Sequence, residues 1–401
     1  PGHALARCVD EVDSFLSDCW GAQPHRRARP DPDGFADLLS LADVDHIIAT
    51  TAPRTPSFRL VKDGRPLPPG SYTRSGRVGG RPYQGAADVA KVYRAFAEGA
   101  TVVLQSLHRS WAPLARFCRD LELALTQPVQ ANAYLTPAGA TALAPHHDTH
   151  DVFVLQVHGR KHWEVRQPVM EAPLPRHHSR KELAAGQPLL FDADLAPGDC
   201  LYLPRGFVHA ARTQDDTSLH VTVGVHTITG HDVLAAVLEQ AAEHPAFRAA
   251  LPVGFARQEG AGALAEAVDE CVREAGRWLA ALDTGPVAAE LRHGFWSRRL
   301  PLLEGQLQQL VGLDQLDDRS VVRRRPGSVC EIELGDDGLR LVLGDRELAV
   351  PLAVEPAIRR LVDGAPAPVA ALDDLLDASS RLVLVRRLVL EGVLEVVPGG
   401  A

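Results

Sequence analysis

The sequence contains few cysteines, and none of them form a pair at the short spacing that metal ribbons use. The six are scattered through 401 residues, as Cys8, Cys19, Cys118, Cys200, Cys271 and Cys330. This distribution excludes a disulfide-rich secreted scaffold and a zinc ribbon. We therefore expect reduced thiols and a cytoplasmic protein.

Long apolar runs are also missing. No stretch approaches the roughly 18 uninterrupted apolar residues of a membrane span, and the segment PGHALARCVDEVDSFL lacks a basic region followed by an apolar one. The sequence therefore predicts neither secretion nor a membrane-spanning helix.

Positive charge is in deficit, because the chain has a formal net charge of -9. This balance predicts no direct binding to nucleic acid or to an anionic membrane, and it favours a basic partner. The remaining composition, 45% hydrophobic and 23% charged residues, is that of an ordinary globular protein. A chain of this length is expected to divide into two or three domains.

Residues 1–229 form the first predicted domain, which starts with a loop-rich segment of about 100 residues. Apolar residues then recur at helical spacing, at Leu114, Phe117, Cys118, Leu121 and Leu125. Between Val129 and Thr229 the chain breaks into short apolar runs separated by glycine and proline. Such runs predict a mainly β core, either a barrel or a sandwich, with flanking helices.

Two smaller domains are predicted beyond the β core. Residues 230–310 show apolar residues three and four apart, which predicts helices suited to an oligomer interface. Residues 311–401 contain the strand-like runs VCEIEL and LRLVL, helical patterns, and Gly392 as the turn into a closing strand. This predicts a small α/β unit, whose 16 acidic residues against 11 arginines suit DNA poorly.

The densest chemical signal is PHHDTHDVFVLQVHGRKHW, residues 145–163. His146 and Asp148 are two residues apart at the start of an apolar strand, so both can project from one face. His209 follows a Gly-Asp turn and a strand in GDCLYLPRGFVH. Two imidazoles and one carboxylate on one face leave three coordination sites open, as in non-haem Fe(II) oxygenases. The sequence therefore predicts an iron site on His146, Asp148 and His209.

Residues 99–225 resemble the ribosomal oxygenases, which are JmjC-type protein hydroxylases of the cupin superfamily. The resemblance rests on five segments in order, namely GATVVL, QANAYLTPAG, PHHDTHDVFVLQVHGRKHW, GDCLYLPRGFVH and SLHVTV. FLSDCWGAQP is similar to the family's N-terminal aromatic segment. The later helices and the tail are similar to its dimerisation and winged-helix-like parts. The resemblance implies a double-stranded β-helix, Fe(II) as metal and 2-oxoglutarate as co-substrate.

The same resemblance implies roles for three further residues. Lys161 takes the place of the lysine that binds the distal carboxylate of 2-oxoglutarate, and it shares a strand face with Trp163 and Val165. The alternative is a solvated Gly-Arg-Lys turn. Asn132 and Tyr134 stand where the family lines its co-substrate and substrate pocket. An asparagine in a turn and a packed tyrosine remain the alternatives.

The chain departs from the family at several positions. His147 stands between the ligands where tyrosine is frequent, and His150 is expected at the pocket rim or in water. Gly224 and Val225 replace a frequent Ser-Thr pair, so a hydroxyl near the co-substrate is missing. His220 either supports the pocket or is a hydrogen-bonded core histidine. Beside the third ligand, Arg205 is expected to brace its loop.

The sequence therefore predicts a 2-oxoglutarate-dependent dioxygenase that hydroxylates a protein or peptide side chain. Phe153, Leu155 and Trp163, or their alternating neighbours, are expected to form a dry wall around the iron. The resemblance implies a histidyl or arginyl side chain of a ribosomal protein as substrate, dioxygen as second co-substrate, and a homodimer. The alternatives are a JmjC-type Nε-methyl-lysine demethylase and a metal-binding cupin without redox chemistry.

Overall fold

The computed structural model describes residues 3–179, 184–258, 261–335 and 338–397. Contacts within the chain divide it into two compact units, Pro1–Thr227 and Ile228–Ala401. The predicted limits of the three domains, including the one at residue 310, stay predictions.

The first unit is built on β-strands, as predicted. Its strands are β1 His25–Arg27, β2 Phe58–Lys62, β3 Arg65–Pro66, β4 Thr73–Val78, β5 Arg81–Ala87, β6 Thr101–Leu104, β7 Val129–Thr136, β8 Thr141–His146, β9 Asp151–His158, β10 Lys161–Pro168, β11 Leu189–Leu195, β12 Cys200–Leu203, β13 Phe207–Thr213 and β14 Ser218–Val225.

Two sheets make up the core of this unit. In the described part of the chain, one sheet has the order β1-β12-β9-β14-β7-β6-β2-β3 and the other β11-β10-β13-β8. Strands β4 and β5 form a separate antiparallel hairpin. From β7 to β14 the chain passes back and forth between the two large sheets, with β10 and β11 adjacent in the smaller one, which is the arrangement of a double-stranded β-helix.

Helices cover the outer face of the larger sheet. They are α1 His3–Cys8, α2 Val12–Ser14 with a π-helical turn Phe15–Cys19, α3 Leu41–Thr50, α4 Val89–Ala97 and α5 Ala112–Leu125. Helix α3 begins with a capping box, in which the Ser40 side chain accepts a hydrogen bond from the Asp43 backbone N–H. Helix α5 confirms the predicted helical spacing, because Leu114, Phe117 and Leu121 are buried.

Strand β9 is buried on both faces. Phe153, Leu155 and Val157 belong to the core under the helices, whereas Val152 and Val154 belong to a smaller core that includes Trp163. This double burial explains why the strand is an almost continuous apolar run and not an alternating one.

The second unit contains helices and short strands. Its helices are α6 Gly230–Ala241, α7 Ala261–Ala281, α8 Gly285–Trp296, α9 Gln306–Val311, α10 Glu355–Asp363 and α11 Ala378–Leu390. Its strands are β15 Val321–Arg324, β16 Glu331–Gly335, β17 Gly338–Val342, β18 Glu347–Val350, β19 Ala367–Pro368 and β20 Leu394–Val396. Among the described residues, they form two three-stranded sheets, β19-β15-β20 and β16-β17-β18.

The predicted elements of this unit are confirmed. VCEIEL and LRLVL provide β16 and β17, and Gly392 adopts a positive φ of 74° just before β20. Buried residues such as Leu341, Ile358 and Val385 join these strands to α10 and α11 in one core. No helix among the described residues is long and apolar enough to cross a membrane.

Candidate metal centre and its cavity

The pairing of strands β8 and β13 places two histidines side by side. His146 ends β8 and lies opposite His209 of β13 in the antiparallel register. Asp148 follows two residues after β8. The distance from His146 Nε2 to Asp148 Oδ1 is 3.9 Å, and that from His209 Nε2 to Asp148 Oδ2 is 3.6 Å.

These three side chains fit one metal ion. One ligand atom of each lies within 4.8 Å of the others, and no other group of His, Cys, Asp or Glu in the described residues meets this condition. An ion about 2.1 Å from each atom can bridge pairs up to about 4.2 Å apart, which covers both measured distances. Two nitrogens and one carboxylate oxygen are a donor set that suits Fe(II) with open positions.

Backbone carbonyls fix the tautomer of both histidines. His146 Nδ1 lies 2.9 Å from the carbonyl oxygen of Ala144, and His209 Nδ1 lies 3.2 Å from that of Phe207. Because a carbonyl can only accept, Nδ1 of each ring carries the proton. Both Nε2 lone pairs are therefore free to bind a metal.

The charges of the site also suit a cation. Burial raises the pKa of Asp148, but His209 and His146 outweigh burial and hold its pKa below the ordinary value. Burial, with the neighbouring His146, lowers the pKa of His209 to about 4. At neutral pH the site thus offers one carboxylate and a neutral imidazole at His209, the protonation states that a metal requires.

A hydrogen-bond network holds the loop before His209. The buried Asp151 carboxylate accepts hydrogen bonds from the Tyr202 hydroxyl and the Arg205 backbone N–H, both at 2.9 Å. The Gly206 N–H donates to the carbonyl oxygen of Asp148 at 3.0 Å. Position 205 therefore braces the loop through its backbone, as expected. Tyr202 also accepts a hydrogen bond from the Gly21 N–H at 2.8 Å.

Lys161 is deeply buried at the start of β10, with 1% of its surface exposed. The predicted shared face of Lys161, Trp163 and Val165 is confirmed, since all three are buried while their neighbours are half-buried. The solvated-turn alternative is wrong. Lys161 Nζ donates to Thr136 Oγ1 at 3.1 Å, and Thr101 Oγ1 donates to the same oxygen at 3.2 Å. Burial lowers the pKa of Lys161 to about 7.

The metal centre and Lys161 open into one cavity of about 210 Å³. Its lining consists of Arg59, Tyr134, His146, Asp148, Val152, Val154, Lys161, Trp163, His209, Ala211, His220 and Thr222. The apolar wall comes from Val152, Val154, Trp163 and Ala211. The sequence predicted that either Phe153 and Leu155 or their alternating neighbours on β9 form this wall. The alternating neighbours, Val152 and Val154, are the ones that do so. Phe153 and Leu155 face the other core.

Tyr134 and His220 form one side of the cavity. Their rings stack with centroids 5.0 Å apart and nearly parallel planes, and Trp163 packs edge-on against His220. Burial and the nearby Lys161 hold the pKa of His220 well below its ordinary value. Its Nδ1 is buried without a hydrogen-bond partner in the described part of the chain. His220 therefore supports the cavity wall, and the hydrogen-bonded alternative is wrong for Nδ1.

Arg59 and Thr136 are two site residues that the sequence did not predict. The Arg59 side chain lines the cavity and hydrogen-bonds the Tyr134 hydroxyl. Its one sequence signal was a charged residue inside the apolar strand FRLVK. Thr136 had no signal of its own, because its role depends on which lysine the fold brings to it.

Asn132 has a different environment from Tyr134. Its Oδ1 accepts a hydrogen bond from the Ser106 backbone N–H at 2.9 Å, and it is absent from the cavity lining. Ser106 has a left-handed φ of 56°. Asn132 itself lies in strand β7, so the alternative of an asparagine in a turn is wrong, and its side chain instead braces the turn at Ser106. Its role toward the co-substrate stays a prediction.

The departures from the family have structural explanations. His147 is buried, and its Nε2 donates to the carbonyl oxygen of His177 at 3.2 Å. His150 is half-buried and stacks on the exposed His226 with ring centroids 5.1 Å apart, and its place at the pocket rim or in water stays a prediction. A Cβ at Gly224 would lie 2.6 Å from His150 Cδ2. Gly224 thus makes room for His150, while Val225 is buried in the core.

The comparison with known proteins identifies the class first. Residues 107–233 match the JmjC domain, and this region contains His146, Asp148, Lys161 and His209. This region of the chain is therefore a JmjC domain, and it is homologous to that of the ribosomal oxygenases. The resemblance to that family is confirmed.

Several curated relatives carry this homology. The chain is 35% identical to ribosomal oxygenase 1 of Gallus gallus over 215 residues, which cover 53% of this chain and 34% of the relative. It is 33% identical to ribosomal oxygenase 2 of Bos taurus over 211 residues, covering 50% and 45%. It is 30% identical to the bifunctional lysine-specific demethylase and histidyl-hydroxylase NO66 of Drosophila persimilis over 226 residues, covering 53% and 30%. The first relatives are thus matched over about a third of their length.

A solved structure extends the likeness over nearly the whole chain. YcfD, a ribosomal oxygenase from Escherichia coli, has a TM-score of 0.52 and 16% identity, covering 96% of this chain and 98% of YcfD. A second YcfD structure, in complex with cobalt and 2-oxoglutarate, has a TM-score of 0.50 over 96% and 97%. At this identity the likeness concerns the fold, and it confirms the predicted JmjC/cupin architecture.

Proposed function

We propose that this protein is an Fe(II)- and 2-oxoglutarate-dependent oxygenase that hydroxylates a side chain of a protein, with a histidyl residue of a ribosomal protein as the preferred target. One observation carries the proposal. A deeply buried lysine, whose ammonium hydrogen-bonds the Thr136 hydroxyl and forms no ion pair among the described residues, shares a cavity with a His-Asp-His metal centre.

The physical argument starts from the cost of a buried charge. An ammonium removed from water is costly unless an anion accompanies it. No described carboxylate lies within ion-pair distance of Lys161, and its pKa is lowered accordingly. The cavity therefore fits a ligand that brings its own carboxylate. A 2-oxoglutarate molecule has one carboxylate for Lys161 and a keto-acid end that can bind a metal.

The relatives support the same assignment. Their names describe ribosomal oxygenases and a bifunctional lysine-specific demethylase and histidyl-hydroxylase, and two YcfD structures contain cobalt with 2-oxoglutarate or succinic acid. Bound iron and 2-oxoglutarate would supply the activation of dioxygen and the transfer of one oxygen atom to a C–H bond.

The side chains of the site can then be assigned roles in this reaction. His146, Asp148 and His209 hold the metal through two Nε2 atoms and a carboxylate, and leave its remaining positions open. Lys161 binds the distal carboxylate of 2-oxoglutarate, and Thr136 orients the ammonium. Val152, Val154 and Trp163 exclude water from the reacting centre.

The charge of the cavity favours a neutral substrate side chain. Arg59 and Lys161 both contribute positive charge to the lining, and only Asp148 contributes negative charge. With a divalent metal and a dianionic co-substrate added, the sum stays positive. A methyl-lysine or an arginine, which is cationic at neutral pH, is therefore repelled more than a neutral imidazole. This argument disfavours the demethylase alternative.

Lys161 also argues against a metal-binding cupin without redox chemistry, because such a protein does not need a buried cation that binds the carboxylate of a co-substrate. The decisive experiment is anaerobic addition of Fe(II) and 2-oxoglutarate. We expect a weak visible charge-transfer band and, after admission of air, formation of succinate. No band and no succinate, with the metal bound, would favour the cupin without redox chemistry.

The substrate is tested with matched peptides. We expect a gain of about 16 Da on histidyl peptides from ribosomal proteins, and weaker turnover when arginine or trimethyl-lysine replaces the histidine. Arg59→Gln should reduce the difference in turnover between the histidyl peptides and the arginine or trimethyl-lysine peptides, since it removes one positive charge from the cavity lining. A preference for trimethyl-lysine in the unchanged protein would contradict the histidyl assignment.

We further propose a homodimer formed through the helices of the second unit. Helix α7 has 21 residues, and none of them is buried within the chain. Its apolar residues Val268, Val272 and Leu279 are 48%, 66% and 49% exposed. An amphipathic helix with an uncovered apolar face needs a partner surface.

We also propose a cytoplasmic location, which is supported by the finding that all six cysteines are free thiols.

A further inference from the structure

The segment of residues 52–87 carries a concentrated positive charge. It contains six arginines and one lysine against a single acidic residue, Asp63. Its local net charge is therefore +6 in a chain whose total is -9. The net charge of the whole chain does not reveal this segment, because the remainder of the chain is correspondingly more acidic. Such a charge asymmetry indicates a surface for an anionic partner.

The fold assembles these residues on a projecting hairpin. Strands β4 and β5 form it, and the exposed turn Gly79–Gly80 connects them, both glycines having a positive φ. Backbone hydrogen bonds of 2.9 Å from Thr55 N–H to the Gly85 carbonyl and from Ala87 N–H to the Pro53 carbonyl join the hairpin to the segment that precedes β2. Strand alternation puts Arg74 and Arg81 on the face of the hairpin that carries Tyr83, and Arg77 on the opposite face. We call the exposed residues Arg54, Arg74, Arg77 and Arg81, which together cover both faces of the hairpin, the arginine surface.

The arginine surface is not neutralised within the protein. None of its four guanidinium groups forms an ion pair with a carboxylate in the part of the chain that the structure describes. Other surface arginines do pair, as Arg277 does with Glu274 at 2.6 Å and Arg360 with Asp374 at 2.5 Å. The four arginines therefore offer their donors to an external acceptor. Guanidinium forks match phosphate oxygens particularly well.

An aromatic ring adds a second feature. The Arg54 guanidinium lies 5.0 Å from the centroid of the Tyr83 ring, in a cation-π contact. The same ring lies against Gly76, where a Cβ would come within 2.6 Å of the tyrosine oxygen. Glycine at 76 thus lets the ring lie flat on the hairpin. Arginines interleaved with a tyrosine are the combination that binds a phosphate backbone and stacks on unpaired bases.

We infer that the arginine surface with Tyr83 binds single-stranded nucleic acid. This function goes beyond the proposed hydroxylation and does not depend on it. It departs from the prediction, based on the net charge of the whole chain, that the protein does not bind nucleic acid directly. Phosphates of a strand that wraps around the hairpin bind the guanidinium groups on its two faces. A base stacks on the outer side of the Arg54 guanidinium, because the Tyr83 ring beneath it already contacts Gly76. An acidic peptide would satisfy the charges but has no use for the aromatic ring, so it is the weaker candidate.

The test uses the full chain and a fluorescein-labelled 12-nucleotide oligouridylate, with fluorescence anisotropy at several salt concentrations. The charge variant is R77E/R81E on the exposed hairpin. Its matched control is R248E/R257E, which makes the same change in net charge at two exposed arginines of the second unit. A third variant, Tyr83→Leu, keeps an apolar cover over Gly76 but removes the aromatic face. Melting temperatures establish that each variant is folded.

We expect R77E/R81E to weaken binding at least about tenfold at low salt, and to reduce the slope of log affinity against log salt by about 1.4 for two lost phosphate contacts. The control should bind like the unchanged protein. Tyr83→Leu should weaken binding with little change in slope, since it removes stacking and not charge. Equal binding by R77E/R81E and the control would overturn the inference. Tighter binding of a labelled deca-glutamate than of the oligouridylate would also overturn it.

Discussion

The ammonium of Lys161 lies 3.1 Å from the hydroxyl oxygen of Thr136, at 1% exposure and without a carboxylate beside it among the described residues. This pair places a cation in the cavity at a cost to the free protein. The free-energy cost of burying this unpaired ammonium is offset when an anionic ligand binds. The stability of the protein, its affinity for the co-substrate and the pH dependence of both therefore depend on Lys161.

The first prediction concerns Lys161 itself. Lys161→Met should weaken 2-oxoglutarate binding by about 2–5 kcal/mol, because a buried charge pair loses one partner. It should also raise the free energy of unfolding of the ligand-free protein, by about 1–4 kcal/mol, because a buried lone charge is replaced by an apolar side chain. Calorimetric titration and urea unfolding measure the two effects.

Lys91→Met is the control for this variant, since Lys91 is about half exposed and pairs with Asp88 on the surface. It should change neither quantity by more than about 0.5 kcal/mol. A Lys161→Met protein that keeps full affinity for 2-oxoglutarate would contradict the anchoring role.

The second prediction concerns pH. Burial lowers the pKa of Lys161 to about 7 in the fold, from an ordinary value of 10.5. Between these values the unfolded chain binds more protons, so the ligand-free protein should gain stability as pH rises from about 7 to about 10. A carboxylate ligand favours the protonated form, so its binding should take up a proton above pH 7. Its affinity should then fall as pH rises.

Calorimetry in buffers of different ionisation enthalpy measures this proton uptake at pH 8. Lys161→Met should abolish the part of the uptake that Lys161 contributes. An affinity for 2-oxoglutarate that is constant from pH 7 to 9 would show that Lys161 does not change its charge on binding.

The third prediction concerns the metal ligands. Asp148→Ala or His209→Ala should lower the affinity for Fe(II) at least about a hundredfold, because direct ligands matter at least as much as the outer partners worth 10–100-fold. Anaerobic titration with Fe(II) measures this directly, without any turnover. His46→Ala, at an exposed position of α3, is the matched control. Unchanged metal affinity in Asp148→Ala would refute the predicted centre.

The fourth prediction concerns Gly224 and His150. Gly224→Ser should destabilise the fold by about 1–3 kcal/mol, because its Cβ would meet the His150 ring at 2.6 Å. His150→Ala should relieve most of this cost, so the two substitutions should be strongly non-additive in urea unfolding. Additive effects would mean that the crowding is not at His150.

The fifth prediction concerns assembly. Val272→Glu should shift the protein toward monomer in light-scattering measurements, because it puts a charge on the uncovered apolar face of α7. Gln258→Glu adds the same charge at another exposed position and should leave the assembly unchanged. A monomeric unchanged protein would contradict the proposed dimer.

Much of the site could be predicted from local patterns. The spacing of His146 and Asp148, the Gly-Asp turn before β12 and the strand carrying His209 are all determined within short segments, because strand periodicity places residues two apart on the same face. The same local rules predicted helix α5, strands β16 and β17, and the turn at Gly392.

Other parts depended on contacts between distant segments. Periodicity could not say which face of β9 lines the cavity, because both faces are buried under different layers. Thr136 meets Lys161 across 25 residues of sequence, and Arg59 enters the cavity from a strand that precedes the metal motif by about 90 residues. The approach of His150 to Gly224 could not be predicted either, because the two residues are 74 positions apart and meet only through the pairing of β9 with β14.

The sequence by itself thus determined the chemical groups of the centre, since their types and spacing within single strands follow from the covalent chain. Only the tertiary structure decided which residues surround them and which charges remain unpaired. Burial and pairing depend on the packing of strands far apart in sequence, and that packing sets the pKa of Lys161 and the charge of the cavity.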